Sequence, residues 1–355
     1  MEGKKNLIIE SKQRPNSWGR LMQEKKDPIV GRPITAKENW RRVLSGEKPV
    51  WMPAWLYEID MCWPDEVLEH PKHEYDGFDW FGTEWVWVEV AGGMMVKPGT
   101  RVLNDITKWK EEVVFPDLDA IDWESDAAVI TSRYDETRMH VFHCTEGIFE
   151  RLHGLMPFDE TLIAMIEEPE CVKEFFEAMV DYKIKLLGKI FKYYAPIDMV
   201  IYGDDWGTQR AGFFSNDMYK EMIYPYTKKV IQFIKSQGKF VELHSCGLNQ
   251  QYMPFIKEMG FDMWTPQGIN DLDMLKKKYG DDFCFCFPVK GLDDPNITEE
   301  KARQIIRDFV EKYAPGGRTM AQIMAPPNLM KICLDELYNY SLKFYENENK
   351  KIYRR

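Results

Sequence analysis

Short apolar runs alternate with longer stretches whose apolar residues recur every three or four positions. The runs are VWMPAW (50–55), WFGTEWVWVEV (80–90), HVFHC (140–144), DMVIYG (198–203), KFVELH (239–244), FDMWTP (261–266), FCFCFPV (283–289) and RTMAQIM (318–324). Between them lie segments such as PECVKEFFEAMVDYKIKLLGKIFKYY, DMYKEMIYPYTKKVIQFIKSQ and TEEKARQIIRDFVEKYA, whose spacing is that of helices with one apolar face. Strand then helix, repeated about eight times, predicts a parallel sheet covered by helices, and that number favours closure into a single (β/α)8 barrel. At the second run the Trp-rich alternation fits a hairpin equally well. Residues 1–34, polar and broken by Pro15, Pro28 and Pro33, read as an N-terminal arm, with the barrel domain over 35–355. Thr35 and Glu38 form a capping box and Gly46 supplies a stop, so a helix is expected between them. The long link 91–139 reads as an insertion with turns.

A length of 355 residues fits one barrel, and 44% hydrophobic residues with 14% aromatics fit an ordinary globular protein. The formal charge of −11 argues against nonspecific nucleic-acid binding, which needs basic surface to displace counterions. The first residues lack a signal peptide's apolar stretch, and no long apolar window offers a membrane span, so a cytoplasmic protein is expected. Its seven cysteines then read as reduced thiols.

In such barrels the reacting groups sit where strands leave at their C-terminal ends. In FVELHSCG the period of two places Phe240, Glu242, His244 and Cys246 toward the lumen, and Val241, Leu243 and Ser245 toward the helices. Imidazole and thiolate two positions apart can grip one ion, and the pair suits a zinc that keeps an open coordination position. The plain alternative is a core histidine beside an inert cysteine. Gly247 just beyond would let a substrate approach the backbone. Asp204 and Asp205, in YGDDWGTQ after Tyr202, are adjacent carboxylates that are costly together unless a cation or proton donor is near. They are candidates for catalysis, metal ligation or a substrate hydroxyl, and alternatively for capping the next helix. Weaker signals are Cys144 and Glu146 in HCTEG, Trp55, Tyr57 and Glu58 in WLYE, and Gln267 in TPQG. The aromatic groups, Tyr202 among them, are candidates to wall a pocket for a flat substrate. Cys286 is a candidate to complete a zinc site, although Cys284 and Cys286 also read as buried hydrophobes. His140, His143 and His153 fit structural roles, and His70 and His73 fall in a polar loop.

TAKENWRRVLSGEKPVWMP, GDDWGTQRAGFF, the stretch from MYKEMIYPY to GFDMWTPQ, and APGGRTMAQIMAPPN together resemble the uroporphyrinogen decarboxylase superfamily over nearly the whole chain. The resemblance implies a single (β/α)8 barrel. It also offers two reaction classes. Decarboxylases carry an R-Q-A-G-R signature after the first strand that binds the substrate's carboxylates; here MPAWLYEIDM places Glu58 and Asp60 instead, which disfavours a polyanionic substrate. The other branch, cobalamin-dependent methyltransferases, holds zinc by the H-x-C of the fifth strand and a cysteine on the last. His244 and Cys246 match, but Met324 stands where that cysteine belongs, and Cys333 lies further on in a helical stretch. Either Asp205, Glu146 or Cys286 completes the sphere, or the metal has been lost. The departure separates the chain from enzymes that activate a thiol, and is compatible with demethylases of aryl methyl ethers from anaerobic bacteria. The implied activity is transfer of a methyl group from a methoxylated aromatic to cob(I)alamin on a partner corrinoid protein, in a chain that is a possible homodimer. The alternative is a lyase acting on another carboxylated substrate.

Overall fold

The computed structural model describes residues 8–10, 31–71, 76–89 and 93–352. Most of the arm expected over 1–34, with Pro15 and Pro28, and also His73, therefore lies outside the described residues. Seven parallel strands form one curled sheet in the order β2 (Ile59–Cys62), β6 (Met139–Cys144), β7 (Met199–Gly203), β8 (Phe240–Ser245), β9 (Met263–Pro266), β10 (Cys284–Pro288) and β11 (Thr319–Gln322). Helices join successive strands, and the architecture fits a TIM-type barrel. The first apolar run contributes a single parallel pairing, Ala54 with Ala321 of β11, made by the Trp55 amide to the Ala321 carbonyl (2.9 Å) and the Ala321 amide to the Pro53 carbonyl (2.9 Å). A few residues later β2 pairs with β6, so the stretch 53–62 touches both edges of the sheet.

The Trp-rich run is not a barrel strand. Its residues form β4 (Glu84–Val88) in an antiparallel sheet with β1 (Ile8–Glu10), β3 (Asp76–Phe78) and β5 (Gly93–Val96). Within it only Trp85 is fully buried, whereas every residue of β7 is. A strand with one wet face belongs in an antiparallel sheet, and a strand buried on both faces in a parallel one. The link 91–139 holds β5, a short helical turn at 106–112 and the helix Trp123–Thr131.

Met61, Met139, Met199, Met263 and Met320 meet Val141, Ile201, Cys284 and Cys286 inside the curled sheet. The helix Ala36–Ser45 joins this cluster with Trp40, Val43 and Leu44. Each such side chain contributes about 1.5–3 kcal/mol on burial. The capping is as the sequence predicts: Thr35 Oγ1 accepts from the Glu38 amide (3.1 Å), and Gly46 closes the helix at φ 79°. On the outer face Val200, Val241, Leu243, Trp264 and Phe285 pack with helix residues such as Phe176, Leu187 and Ile231. Among the described residues no helix is long and apolar enough to cross a membrane.

Candidate metal centre

β7 and β8 run side by side, with Gly203 level with His244, so the residues just past their ends share one rim of the sheet. There Asp205, His244 and Cys246 each offer one ligand atom, and these atoms all lie within 4.8 Å of one another. His244 Nε2 stands 3.9 Å from Cys246 Sγ, and Asp205 Oδ1 accepts the Cys246 amide at 2.6 Å. All three side chains are half-buried. Burial, then the carboxylates of Asp205 and Glu150, push the Cys246 thiol well above its usual range. Glu150 itself is held far above the usual carboxylate range by burial and by Asp205, Glu146 and Asp204. A nitrogen, a sulfur and an oxygen gathered among mutually repelling acids form a donor set that fits a divalent cation of the zinc type.

The loop that bears this cluster is tightly framed. Gly247, at φ 98°, leaves no room for a Cβ, which would stand 2.2 Å from the Gly207 carbonyl oxygen. Its close backbone neighbour is therefore the chain after β7 rather than a substrate. Gln267 Oε1 accepts the Gly247 amide (2.9 Å) and Gln209 Nε2 (3.1 Å), so the TPQG residue braces the two loops. Asn249 Nδ2 donates to Ser245 Oγ (2.9 Å) and the Cys246 carbonyl (2.6 Å), while Asn270 Oδ1 accepts the amides of Asn249 and Gln250 (3.0 Å each). These bonds fix where His244 and Cys246 point.

The two aspartates divide. Asp204 turns away from the cluster, is fully buried, and accepts the amides of Glu150 (2.9 Å) and Phe149 (3.3 Å) in the first turn of the helix Ile148–Leu155. Burial raises its carboxyl to about 7. Tyr202 lies behind the sheet, and its hydroxyl takes the Ile148 amide at 3.1 Å. Glu146, raised to about 8 by burial, lies between the two sets of acids: Arg151 and Lys183 draw it down only in part, and its own charge raises Glu150 at the rim. Cys286 is buried inside the sheet beside Glu242, bonded to Thr265, and stands outside the three-residue cluster. Cys144 is buried in the outer core.

The WLYE residues sit deeper than the rim. Trp55 Nε1 donates to the buried Glu242 (3.0 Å), two residues below His244 on the same strand. The Tyr57 carbonyl accepts from Arg138, just before β6. Glu58 is bound by Arg32 (2.6 Å) and Trp51 Nε1 (3.0 Å), and the Asp60 carboxylate accepts the Asp135 amide (2.7 Å). Both acids are thus occupied at the start of β2 and do not face a substrate; the rim residue there is Trp63, whose ring lies 5.8 Å from that of His143. Met324 is 44% exposed beyond β11, and Cys333 is buried in the helix Pro327–Ile352.

His140 is structural, its ring bonded to the carbonyls of Pro196 (3.0 Å) and Asp135 (3.1 Å). His153 stands between Phe149 and Phe158, with burial lowering it to about 4. His143 lies 6.0 Å from the His244 ring, at the edge of the cluster. Glu150, Trp63 and the Asn249–Asn270 brace carry no local signature. Glu150 is an acid in the first turn of a helix, a placement the helix dipole favours in any protein.

The sequence matches the model of the family described as uroporphyrinogen decarboxylase (URO-D) over residues 79–312. No curated protein matches it. Among solved structures, a methyltransferase from Methanosarcina mazei superposes with a TM-score of 0.62 at 14% identity, over 86% of this chain and 98% of that one. A putative vitamin-B12 independent methionine synthase from Listeria monocytogenes gives 0.41 at 11% identity, over 66% and 71%. Old Yellow Enzyme from Pichia sp. gives 0.36 at 13%, over 62% and 69%. At these identities the first likeness concerns the fold alone.

Proposed function

Because the chain belongs to the uroporphyrinogen decarboxylase family, we propose that it is a methyltransferase of that family, moving a methyl group from a methoxylated aromatic to cob(I)alamin carried by a partner corrinoid protein. The observation that carries this reading is the meeting of Asp205, His244 and Cys246 within 4.8 Å at the rim of β7 and β8. The superposed structure bearing the name methyltransferase supports it.

Three protein ligands and an open fourth position are the arrangement of a catalytic zinc. His244 would give its Nε2, Cys246 its thiolate and Asp205 a carboxylate oxygen, with Asp205 taking the place of the family cysteine that Met324 replaces. Zinc bound there would supply a Lewis acid for the oxygen that departs as an aryl ether is cleaved. A corrinoid protein docked at this rim would supply the acceptor for the methyl group, and the residues of the cluster would receive the phenolate left behind. The protein orients the ether, keeps its oxygen near the cluster and shields it from water. His143 stands at the edge of the cluster with Trp63 against it, and this pair would face a flat ring. Glu150, whose carboxyl is raised by burial and by the charges of Asp205, Glu146 and Asp204, is the acid beside the cluster that could serve as proton donor to the departing oxygen.

The test mixes the chain, loaded with zinc, with a reduced corrinoid protein and a panel of methoxylated aromatics, and follows the corrinoid spectrum together with release of the phenol. Methylated corrinoid and phenol in equal amounts are expected. Silence across the panel, with carbon dioxide released from a carboxylated substrate instead, would give the chain to the lyases.

A further inference from the structure

Asp204 is fully buried beside the candidate metal cluster without belonging to it, and its bonds reach β8, which leads into His244 and Cys246, and the helix Ile148–Leu155. Its amide donates to the His244 carbonyl (3.1 Å), tying the end of β7 to β8. Its carboxylate accepts the amides of Glu150 (2.9 Å) and Phe149 (3.3 Å), the orphan donors of a helix whose own cap position, Gly147, has no side chain to offer. The fit is close: a Cβ on Gly147 would stand 2.3 Å from Asp204 Cγ. The next residue along the chain, Asp205, stands close enough to Glu150 for its charge to raise that carboxyl. Asp205 in turn receives the Cys246 amide at 2.6 Å.

We infer that Asp204 is a positioning residue: by clasping the first turn of the helix Ile148–Leu155 to β8, it holds the Asp205 carboxylate in the place where it can meet a metal with His244 and Cys246. This rests on the metal reading above. Its role is distinct from that of a ligand, because its own oxygens are committed to backbone amides. Tyr202 supplies an internal comparison, for its hydroxyl accepts the neighbouring Ile148 amide (3.1 Å) of the same helix turn without touching Asp204's contacts to β8.

The experiment measures zinc affinity by competition with a chromogenic chelator for the full-length wild type, D204A, D204N and Y202F, with amide exchange at Cys246 followed in the metal-free proteins. Loss of an outer group that orients a ligand typically weakens metal binding about 10–100-fold. D204A is expected to fall in that range and to lose protection at the Cys246 amide. D204N, which keeps one acceptor oxygen and guards against a D204A that does not fold, should recover most of both. Y202F should stay within about threefold of wild type, since the Tyr202 hydroxyl bonds Ile148 and no residue that offers a ligand atom. Equal zinc affinity in wild type and D204A would overturn the inference, as would an equal loss in D204A and Y202F, which would make the effect one of helix stability. If wild type takes up no zinc the metal reading fails, and the clasp is then decided by exchange alone: unchanged protection at Cys246 in D204A refutes it.

Discussion

Two groups of acids meet the helix Ile148–Leu155, one at Arg151 and one at Glu150, and they are solved differently. Beneath the antiparallel sheet, Asp79 accepts from Arg151 (2.6 Å), Trp85 Nε1 (3.0 Å) and the amides of Phe81 and Thr83 (2.9 Å each). Glu69 is bonded by Lys183 and by the Tyr182 hydroxyl (2.7 Å), and although burial pushes its carboxyl up, Lys183 and Arg151 draw it below the usual range. That group carries its own cations. At the rim of β7 and β8, by contrast, Glu150 and Asp204 are held above the usual range, first by burial and then, for Glu150, by the other acids. The first arrangement is complete as it stands and the second calls for a proton or a metal. Buried charge alone therefore does not mark a site; what marks it is charge the fold leaves uncompensated.

The largest effect should follow from breaking the compensated group. Arg151→Met leaves Asp79 and Glu69 buried without their shared guanidinium and is expected to cost about 3–5 kcal/mol, read as a fall in the urea midpoint. Whatever protein still folds should keep its zinc. His244→Ala should do the reverse, abolishing zinc uptake and lowering turnover at least about 100-fold, with the denaturation midpoint nearly unchanged in the metal-free state. Parallel losses in both variants would erase the distinction between the two regions.

Acidity offers a finer cut. Glu146 is raised to about 8 and Asp204 to about 7, so between the ordinary carboxylate range and pH 8 these two groups bind more protons in the folded chain than in the unfolded one, and their contribution to the stability of the metal-free protein falls as pH rises, opposed only up to the ordinary histidine range by His153. A loss on the order of 1–3 kcal/mol between pH 5.5 and 8 is expected, with thermal melts as the measure. Zinc should offset most of the fall, because its charge neutralises the rim acids. Glu69 works in the opposite sense: its lowered carboxyl adds stability that is lost only on acidification below the ordinary range. A metal-free protein that grows more stable from pH 6 to 8 would contradict the account of the rim. The smallest effect belongs to Gln209→Ala, which removes one exposed bond to Gln267 and should cost less than about 0.5 kcal/mol.

The parallel strands from β6 to β11 were legible because each is a short apolar run buried on both faces, and period-two alternation on β8 was enough to send Glu242 and His244 inward. The pairing of His244 with Cys246 is local, so two residues of spacing reveal it. Its completion by Asp205 is not local, and depends on β7 and β8 lying side by side in one register. The Trp-rich run left strand and hairpin equally open, and the hairpin is what forms, because apolar alternation reports one buried face without saying which sheet supplies the other. Glu58 and Asp60 misled because Arg32 and the Asp135 amide, which occupy them, are distant in sequence. Glu150 escaped for the same reason: only the fold brings that helix turn against Asp205.

Crystals soaked in zinc and measured at its absorption edge test the central claim most directly. One anomalous peak is expected within bonding distance of His244 Nε2, Cys246 Sγ and an oxygen of Asp205, about 2.0–2.3 Å from each. A map without that peak, or side chains of Asp205 and Cys246 that point away from each other, would contradict it.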